Sequence, residues 1–251
     1  MCNIKVGAVV PVYNHPRHLR DLVQHLRAQH LAVILVDDGS NHECASLIDA
    51  IQHEHRDSVH VLRHPHNQGK GAAVSSGLLQ AESLGWSHVL QVDADGQHHW
   101  QDVPRFIARA EQHPEHMIIG KPVFDDSVSK TRFYGRYATH VWVWINTLST
   151  DIKDSMCGFR VYPVAATCRQ LRRHSMEARM GFDSEILVYL HWQGVRFINL
   201  PTPVTYPVGG VSHFLPWADN FSLSRMHAKL FFGMLWRLPT LLARRLGTKE
   251  D

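Results

Sequence analysis

The stretch "HVLQVDADGQHH", residues 88–99, ends an apolar run in two aspartates one residue apart, Asp93 and Asp95, followed by Gln97, His98 and His99. A second run, "LVDDGS", ends in Asp37 and Asp38. Strand-end acids often cap a helix or solvate a turn. Two acidic pairs converging in one crevice repel each other, and a divalent cation between them relieves the repulsion. Asp95 with Gln97 or His98 supplies too few ligands for an all-protein calcium cage. It suits Mg2+ or Mn2+, whose remaining positions a substrate's phosphates fill. "NQGKG", residues 67–71, adds a glycine-rich turn and Lys70 at a helix start, where backbone N–H groups favour anions; the alternative is a tight turn carrying a surface lysine. Neither a Walker A loop nor a GxGxxG fingerprint is present, which counts against ATP hydrolysis and hydride transfer.

These side chains need a scaffold that brings strand ends together. Apolar runs beginning at Val6, Leu31, Val59 and His88 read as strands buried on both faces. Helical patterns lie between them: Pro16 at a first turn followed by Leu19, Leu22, Val23 and Leu26, then Leu47, Ile48 and Ile51 after a Ser40 or Asn41 cap, then a third helix after Asn67. The alternation predicts a mostly parallel, Rossmann-like α/β sheet flanked by helices, with ligands beyond the carboxyl ends of its strands. Further on, the sequence predicts a long helix over 131–148, a loop over "DIKDSMCGFRVYP", a helix in "GFDSEILVYLHWQG" and two short extended pieces in "VRFINLPTPVTYP".

"VVPVYN" at 9–14, "VDDGS" at 36–40, "NQGKGAAV" at 67–74 and "VDADGQH" at 92–98, in this order, resemble the family-2 glycosyltransferases of the GT-A fold. That resemblance implies that Pro11, Tyr13, Asn14, Asp37 and Asp38, with Gly69 and Lys70, frame a nucleotide sugar. It also implies that Asp93 lies near ribose or sugar and that Asp95, with Gln97 and His98, holds the metal, which polarises the leaving diphosphate. "DSMCGFR" and "KTRFYGRY" resemble blocks of the dolichyl- and polyprenyl-phosphate sugar synthases, which implies a lipid-phosphate acceptor held by Arg132, Asp154 and Arg160. The resemblance also implies that Asp183 and Glu185 in "GFDSEIL" fall where many hydroxyl-using relatives place a catalytic base and lipid-phosphate relatives retain a glutamate; the alternative is a helix N-terminus that welcomes negative charge. An ionised phosphate acceptor needs no base, whereas a hydroxyl does, and direct attack at the anomeric carbon predicts inversion. The stretch "GGVSHFLPWADNFSLSRMHAKLFFGML" weakly resembles enzymes of bacterial aryl-polyene lipid clusters.

With 251 residues and a net charge of +3, the chain fits one large domain and gives no electrostatic case for nucleic acid. Four scattered cysteines suggest neither disulfides nor a zinc knuckle and fit a reducing cytoplasm. No signal peptide or membrane span is read. From Ser222, apolar residues at helical spacing alternate with Arg225, Lys229, Arg237, Arg244 and Arg245. This is the pattern of a basic amphipathic helix that lies in a lipid interface or closes the domain, with Pro239 expected to break or kink it. The resulting expectation is a catalytic domain over 1–221, with a nucleotide-sugar half (1–100) and an acceptor half (101–221), and an amphipathic tail over 222–251. Its activity is inverting, metal-dependent transfer of one sugar from a UDP- or GDP-linked donor to a lipid acceptor at the inner face of the cytoplasmic membrane. Transfer to a soluble or glycan hydroxyl, or non-catalytic nucleotide-sugar binding, are the alternatives.

Overall fold

The computed structural model describes residues 4–124, 130–205 and 216–247, apart from the side chains of 130–134, 216, 218, 246 and 247. In the first ninety residues strands and helices alternate: β1 (Val6–Val12), α1 (Leu19–Ala28), β2 (Ala32–Asp37), α2 (His42–Glu54), β3 (Val59–Arg63), α3 (Lys70–Ser83) and β4 (His88–Gln91). The second half contributes α4 (Val103–Gln112), β5 (His116–Phe124), α5 (Lys130–Thr147), β6 (Arg160–Pro163), α6 (Val164–Arg173), α7 (Phe182–Gln193), β7 (Arg196–Val204) and α8 (Pro216–Gly247). The seven strands form one sheet in the order β3-β2-β1-β4-β6-β5-β7.

The first four strands are parallel, as their continuous apolar runs require. Alternate residues of β1 serve opposite layers. Ala8, Val10 and Val12 pack with α1, α2 and α4, while Val9 faces a core built from α3, α6, α7 and α8. Asn41 is the residue that caps α2, its side chain accepting the Cys44 N–H at 3.0 Å. Pro16 precedes its helix and belongs to the turn leading into Leu19.

Two segments differ from the sequence expectation. Within the expected loop over "DIKDSMCGFRVYP", Arg160–Pro163 form β6, four buried residues wedged antiparallel between β4 and β5. The "VRFINLPTPV" segment is one strand, paired with β5 over nine positions. Pro201 and Pro203 are tolerated because β7 is the outermost strand and their missing N–H groups have no second neighbour to serve.

Helix α8 runs through Pro239 without ending, so the expected break does not occur there. A boundary at 221/222 would cut this helix, whose Met226, Leu230, Met234 and Leu241 are buried in the core formed with α7. The helix therefore closes the domain on one face. Its other face leaves Phe221, Phe232, Leu235, Trp236 and Leu242 exposed, beside exposed Val141, Trp142 and Ile145 of α5. Among the described residues no helix is long and apolar enough to cross a membrane.

Candidate active site

The acids at the ends of β2 and β4 do different work. Asp37 accepts the Ser40 N–H at 2.9 Å and pairs with Arg63 at 2.9 Å, which fixes the turn after β2. Asp38 is buried and receives four donors: His64 Nδ1 at 2.6 Å, Asn67 Nδ2 at 2.9 Å, and the Gln68 and Gly69 N–H groups at 2.9 and 2.8 Å. Its carboxylate folds the 64–69 loop against the end of β2. Asn14 takes a left-handed backbone (φ 55°), donates its N–H to Ser40 Oγ and accepts the Asn41 N–H, joining the ends of β1 and β2. Pro11, near the end of β1, and Tyr13, just beyond it, are partly exposed on this rim.

Lys70 stands at the centre. Its ammonium donates to Asp93 Oδ2 at 2.7 Å and to Asp183 Oδ2 at 2.9 Å. Burial opposes the charge on Lys70, but Asp183 and Asp93 overcome it and push its pKa up. Burial likewise opposes charge on Asp93, and Lys70, helped by His98, holds that carboxyl far below the usual range. From here the contacts close a ring. Gln91 Nε2 donates to Asp93 Oδ1 at 3.3 Å, Tyr162 Oη donates to Gln91 Oε1 at 2.8 Å, and Arg160 Nη1 reaches both Tyr162 Oη at 3.4 Å and the Asp183 carbonyl at 2.7 Å. Every side chain of the ring is largely buried, so the polar groups hold one another in a single arrangement.

Asp95 lies outside that ring. It is partly exposed, and among the described residues it accepts one hydrogen bond, from the Gln97 N–H at 3.0 Å, across a turn that needs the left-handed Gly96 (φ 74°). With Asp93 already neutralised by Lys70, Asp95 is the carboxylate of this turn that fits a divalent cation. Gln97 follows two positions on, and His98, stacked on Phe159, keeps a buried Nδ1 without a partner among the described residues. Among the described residues no three His, Cys, Asp or Glu side chains gather as a preformed metal cage. Phosphate oxygens would therefore have to complete the shell.

The expected acceptor residues require correction. Arg160 is wholly buried: Nε donates to the Cys157 carbonyl at 2.5 Å, Nη2 to the Ser155 carbonyl at 2.9 Å and Nη1 to that of Asp183. It has no face to offer a lipid phosphate. Asp154 is also internal, gripped by an Arg136 fork through Nε and Nη2 at 2.7 Å and by the Met156 and Cys157 N–H groups. Burial opposes its charge, and His140 at 3.2 Å together with Arg136 holds its carboxyl below the usual range. The Arg132 side chain lies outside the described residues. Glu185 is 1% exposed; Oε2 accepts the Glu177 N–H at 2.6 Å and Oε1 binds Lys229 of α8 at 2.9 Å, so it does not face an acceptor as a base would. Asp183 is held by Lys70 through one oxygen and buries the other.

The glycines of "NQGKG" also answer to the fold. A Cβ on Gly69 would lie 2.5 Å from the Ala178 carbonyl oxygen, and one on Gly71 would lie 2.4 Å from Phe182 Cβ. They admit the 177–182 segment onto the start of α3, on either side of Lys70. Gln91, Tyr162, Glu177 and Lys229 are site-building residues that the sequence reading missed. Gln91, a polar residue inside an apolar strand, was the one signal available. Gly158 is a sharper case, since a Cβ there would lie 2.1 Å from Asp93 Oδ2. Gly158→Ala is expected to push Asp93 off Lys70 and to lower stability by about 1–3 kcal/mol, the usual cost of overpacking, measurable as a fall in thermal midpoint.

Comparison with known proteins accords with this geometry. The model for "Glycosyl transferase family 2" matches residues 8–179, a span from β1 to beyond α6 that includes both acidic turns and Lys70. A dolichyl-phosphate beta-glucosyltransferase of Dictyostelium discoideum is 30% identical over 221 residues, covering 79% of this chain and 64% of that protein. The Mus musculus enzyme of the same name is 27% identical over 205 residues, covering 73% and 62%. The chain thus spans less than two thirds of the length of these relatives. Among solved structures, glucosyl-3-phosphoglycerate synthase from Mycobacterium tuberculosis, in complex with Mn2+, UDP-glucose and glycerol 3-phosphate, superposes with a TM-score of 0.64 at 13% identity, covering 92% of this chain and 80% of that one. The mixed sheet, with its acidic turns at the carboxyl ends of β2 and β4, has the GT-A architecture, and the chain belongs to glycosyl transferase family 2.

Proposed function

We propose that the protein transfers one sugar from a nucleoside diphosphate sugar to a polyprenyl phosphate at a membrane surface, with inversion at the anomeric carbon. The observation that carries the choice of acceptor is the engagement of both candidate bases: Lys70 holds Asp183 and Lys229 holds Glu185. A hydroxyl acceptor needs a carboxylate oxygen facing it, whereas an ionised phosphate attacks without one. The dolichyl-phosphate relatives support the same acceptor class.

In this reading the donor lies over the ends of β1, β2 and β4. Lys70, at the start of α3, adds its charge to the N–H groups there and attracts the diphosphate. Asp95, with Gln97 and His98 beside it, would hold Mg2+ or Mn2+, which stabilises the leaving diphosphate as a Lewis acid when bound. The rigid ring around Asp93 keeps these groups in place, so little reorganisation accompanies bond breaking.

The acceptor's membrane is met by the outer faces of α8 and α5. Trp217 is 92% and Trp236 87% exposed, and with Phe221, Phe232 and Trp142 they are large exposed aromatics of α8 and α5, with exposed Arg225 also on α8. Large exposed aromatics on a helix that also exposes a cation suit an anionic lipid interface. We place the protein at the cytoplasmic face, where the buried free thiols Cys44, Cys157 and Cys168 remain reduced.

The test supplies UDP- and GDP-sugars with Mn2+ to the purified chain, with polyprenyl phosphate in anionic vesicles or with soluble hydroxyl acceptors. Transfer to the lipid phosphate with inverted anomeric configuration by NMR is expected. Turnover confined to hydroxyl acceptors would refute the acceptor assignment, and retained configuration would refute direct displacement.

A further inference from the structure

Helix α8 reaches the donor site from behind. Its Lys229 ammonium donates to Glu185 Oε1 and to the Ser175 carbonyl, both at 2.9 Å. Ser222 Oγ donates to Glu177 Oε1 at 2.9 Å, and Asp219, 1% exposed, accepts from Arg179 Nε at 2.8 Å. All four contacts, made by three residues of α8, converge on one short segment, 175–185. Within it, Glu177 Oε2 accepts the Arg179 and Gly181 N–H groups at 2.8 Å, and Glu185 Oε2 accepts the Glu177 N–H at 2.6 Å. The loop is thus wound around two carboxylates, and α8 supplies the cation and hydroxyl that satisfy their outer oxygens.

This loop in turn seats Lys70 from two directions. The Ala178 carbonyl accepts the Ala72 N–H at 2.9 Å, and the segment lies against Gly69 and Gly71 so closely that neither glycine has room for a side chain. The loop leads directly into Asp183, which holds the Lys70 ammonium. A shift of the 175–181 loop therefore moves both the backbone beneath Lys70 and the carboxylate that aims its charge.

We propose that Glu177, Glu185 and Lys229 are positioning residues for Lys70, with α8 as the strut that fixes the donor-site cation through the 175–185 segment. The proposal rests on the reading of Lys70 as a nucleotide-diphosphate contact. It gives buried Glu185 and partly buried Glu177 a role that requires no acceptor, and it joins the helix bearing the exposed aromatic face to the chemistry at the start of α3.

Calorimetric binding of UDP and of GDP, each with Mn2+, tests it in wild type, Lys70→Met, Lys229→Met and the double variant. Lys229→Met is expected to weaken the nucleotide that binds by about tenfold, the order of one charge-assisted contact, although Lys229 lies a full loop away from the ligand. The two effects should fail to add, with the double variant within about twofold of Lys70→Met alone, because both act through one ammonium. Lys229→Arg, which keeps the charge, should restore most of the affinity. Should Lys229→Met not fold, Ser222→Ala, which removes one hydroxyl from Glu177, carries the test with an expected loss of about two- to threefold and little change in thermal midpoint. Wild-type affinity in the folded single variants, or losses in the double variant that multiply, would overturn the positioning role. A wild-type chain that binds neither nucleotide would instead remove the donor-site reading on which it rests.

Discussion

Asp95→Ala is expected to cut sugar transfer by roughly 10²–10⁴, the rate equivalent of several kcal/mol of lost Lewis-acid stabilisation, while leaving the fold nearly untouched. The contrast with its neighbour makes the test informative. Asp93 is tied to Lys70, Gln91 and, more loosely, His98, so its removal leaves the Lys70 ammonium to Asp183 alone and disturbs the ring as well as the site. Asp95 accepts one backbone N–H and is partly open to solvent, so truncating it should cost about 1 kcal/mol or less, and a calorimetric scan should show a thermal midpoint close to wild type. The same variant should lack the dependence of nucleotide affinity on Mn2+ that is expected of the wild type. An Asp95→Ala protein that turns over donor at the wild-type rate would take the cation away from this turn and leave the donor site to Lys70 and its two carboxylates, Asp93 and Asp183.

The division of labour between these two aspartates shows what a sequence does and does not reveal. That acids stand at the ends of β2 and β4 follows from the apolar runs that precede them, because a buried parallel strand must be apolar and the polar residue after it emerges at the ligand-binding edge. Which acid is engaged internally depends on partners distant in sequence. Lys70 meets Asp183 across 113 positions because the segment before α7 packs onto the start of α3, and Tyr162 meets Gln91 across 71 because β6 enters antiparallel between β4 and β5. Strand β6 was hidden because four residues show little periodicity. Strand β5 was missed because its buried run, Met117–Gly120, gives way to alternating exposure toward Phe124. The same limit explains the misreading of Arg160 and Glu185. A charged side chain in a glycine-containing turn or at a helix start looks available for ligand, and only the fold shows three carbonyls around the one and a lysine of α8 against the other. For α8 both sequence alternatives leave a trace: the stripe containing Met226, Leu230 and Met234 packs inward, and the residues between them turn Phe232 and Trp236 outward.

Arg160→Met should have the largest effect on stability. The guanidinium is 0% exposed and gathers the carbonyls of Ser155, Cys157 and Asp183, with Tyr162 Oη and the Asp183 carboxylate alongside. Methionine fills much of the volume and offers no donor, so three buried carbonyls lose the guanidinium as a donor, the Ser155 carbonyl keeping Ser184 Oγ, and Asp183 keeps only Lys70 to balance its charge. Breaking a buried ionic network from one side typically costs about 3–5 kcal/mol, which for a chain of this size lowers the thermal midpoint by roughly 10 °C. Arg160→Lys is expected to recover little of this, since one ammonium on a flexible stem cannot reach three carbonyls that a planar fork spans. An acceptor-binding role makes the opposite prediction: a well-folded Arg160→Met protein with near-normal nucleotide binding and weakened affinity for polyprenyl phosphate. Thermal denaturation followed by circular dichroism separates the two, because a midpoint within a degree or two of wild type would mean that the buried fork contributes little to the fold. In that case the ring around Asp93 would have to be held by Lys70 and Gln91 alone, and Lys70→Met would take its place as the substitution that unfolds the site.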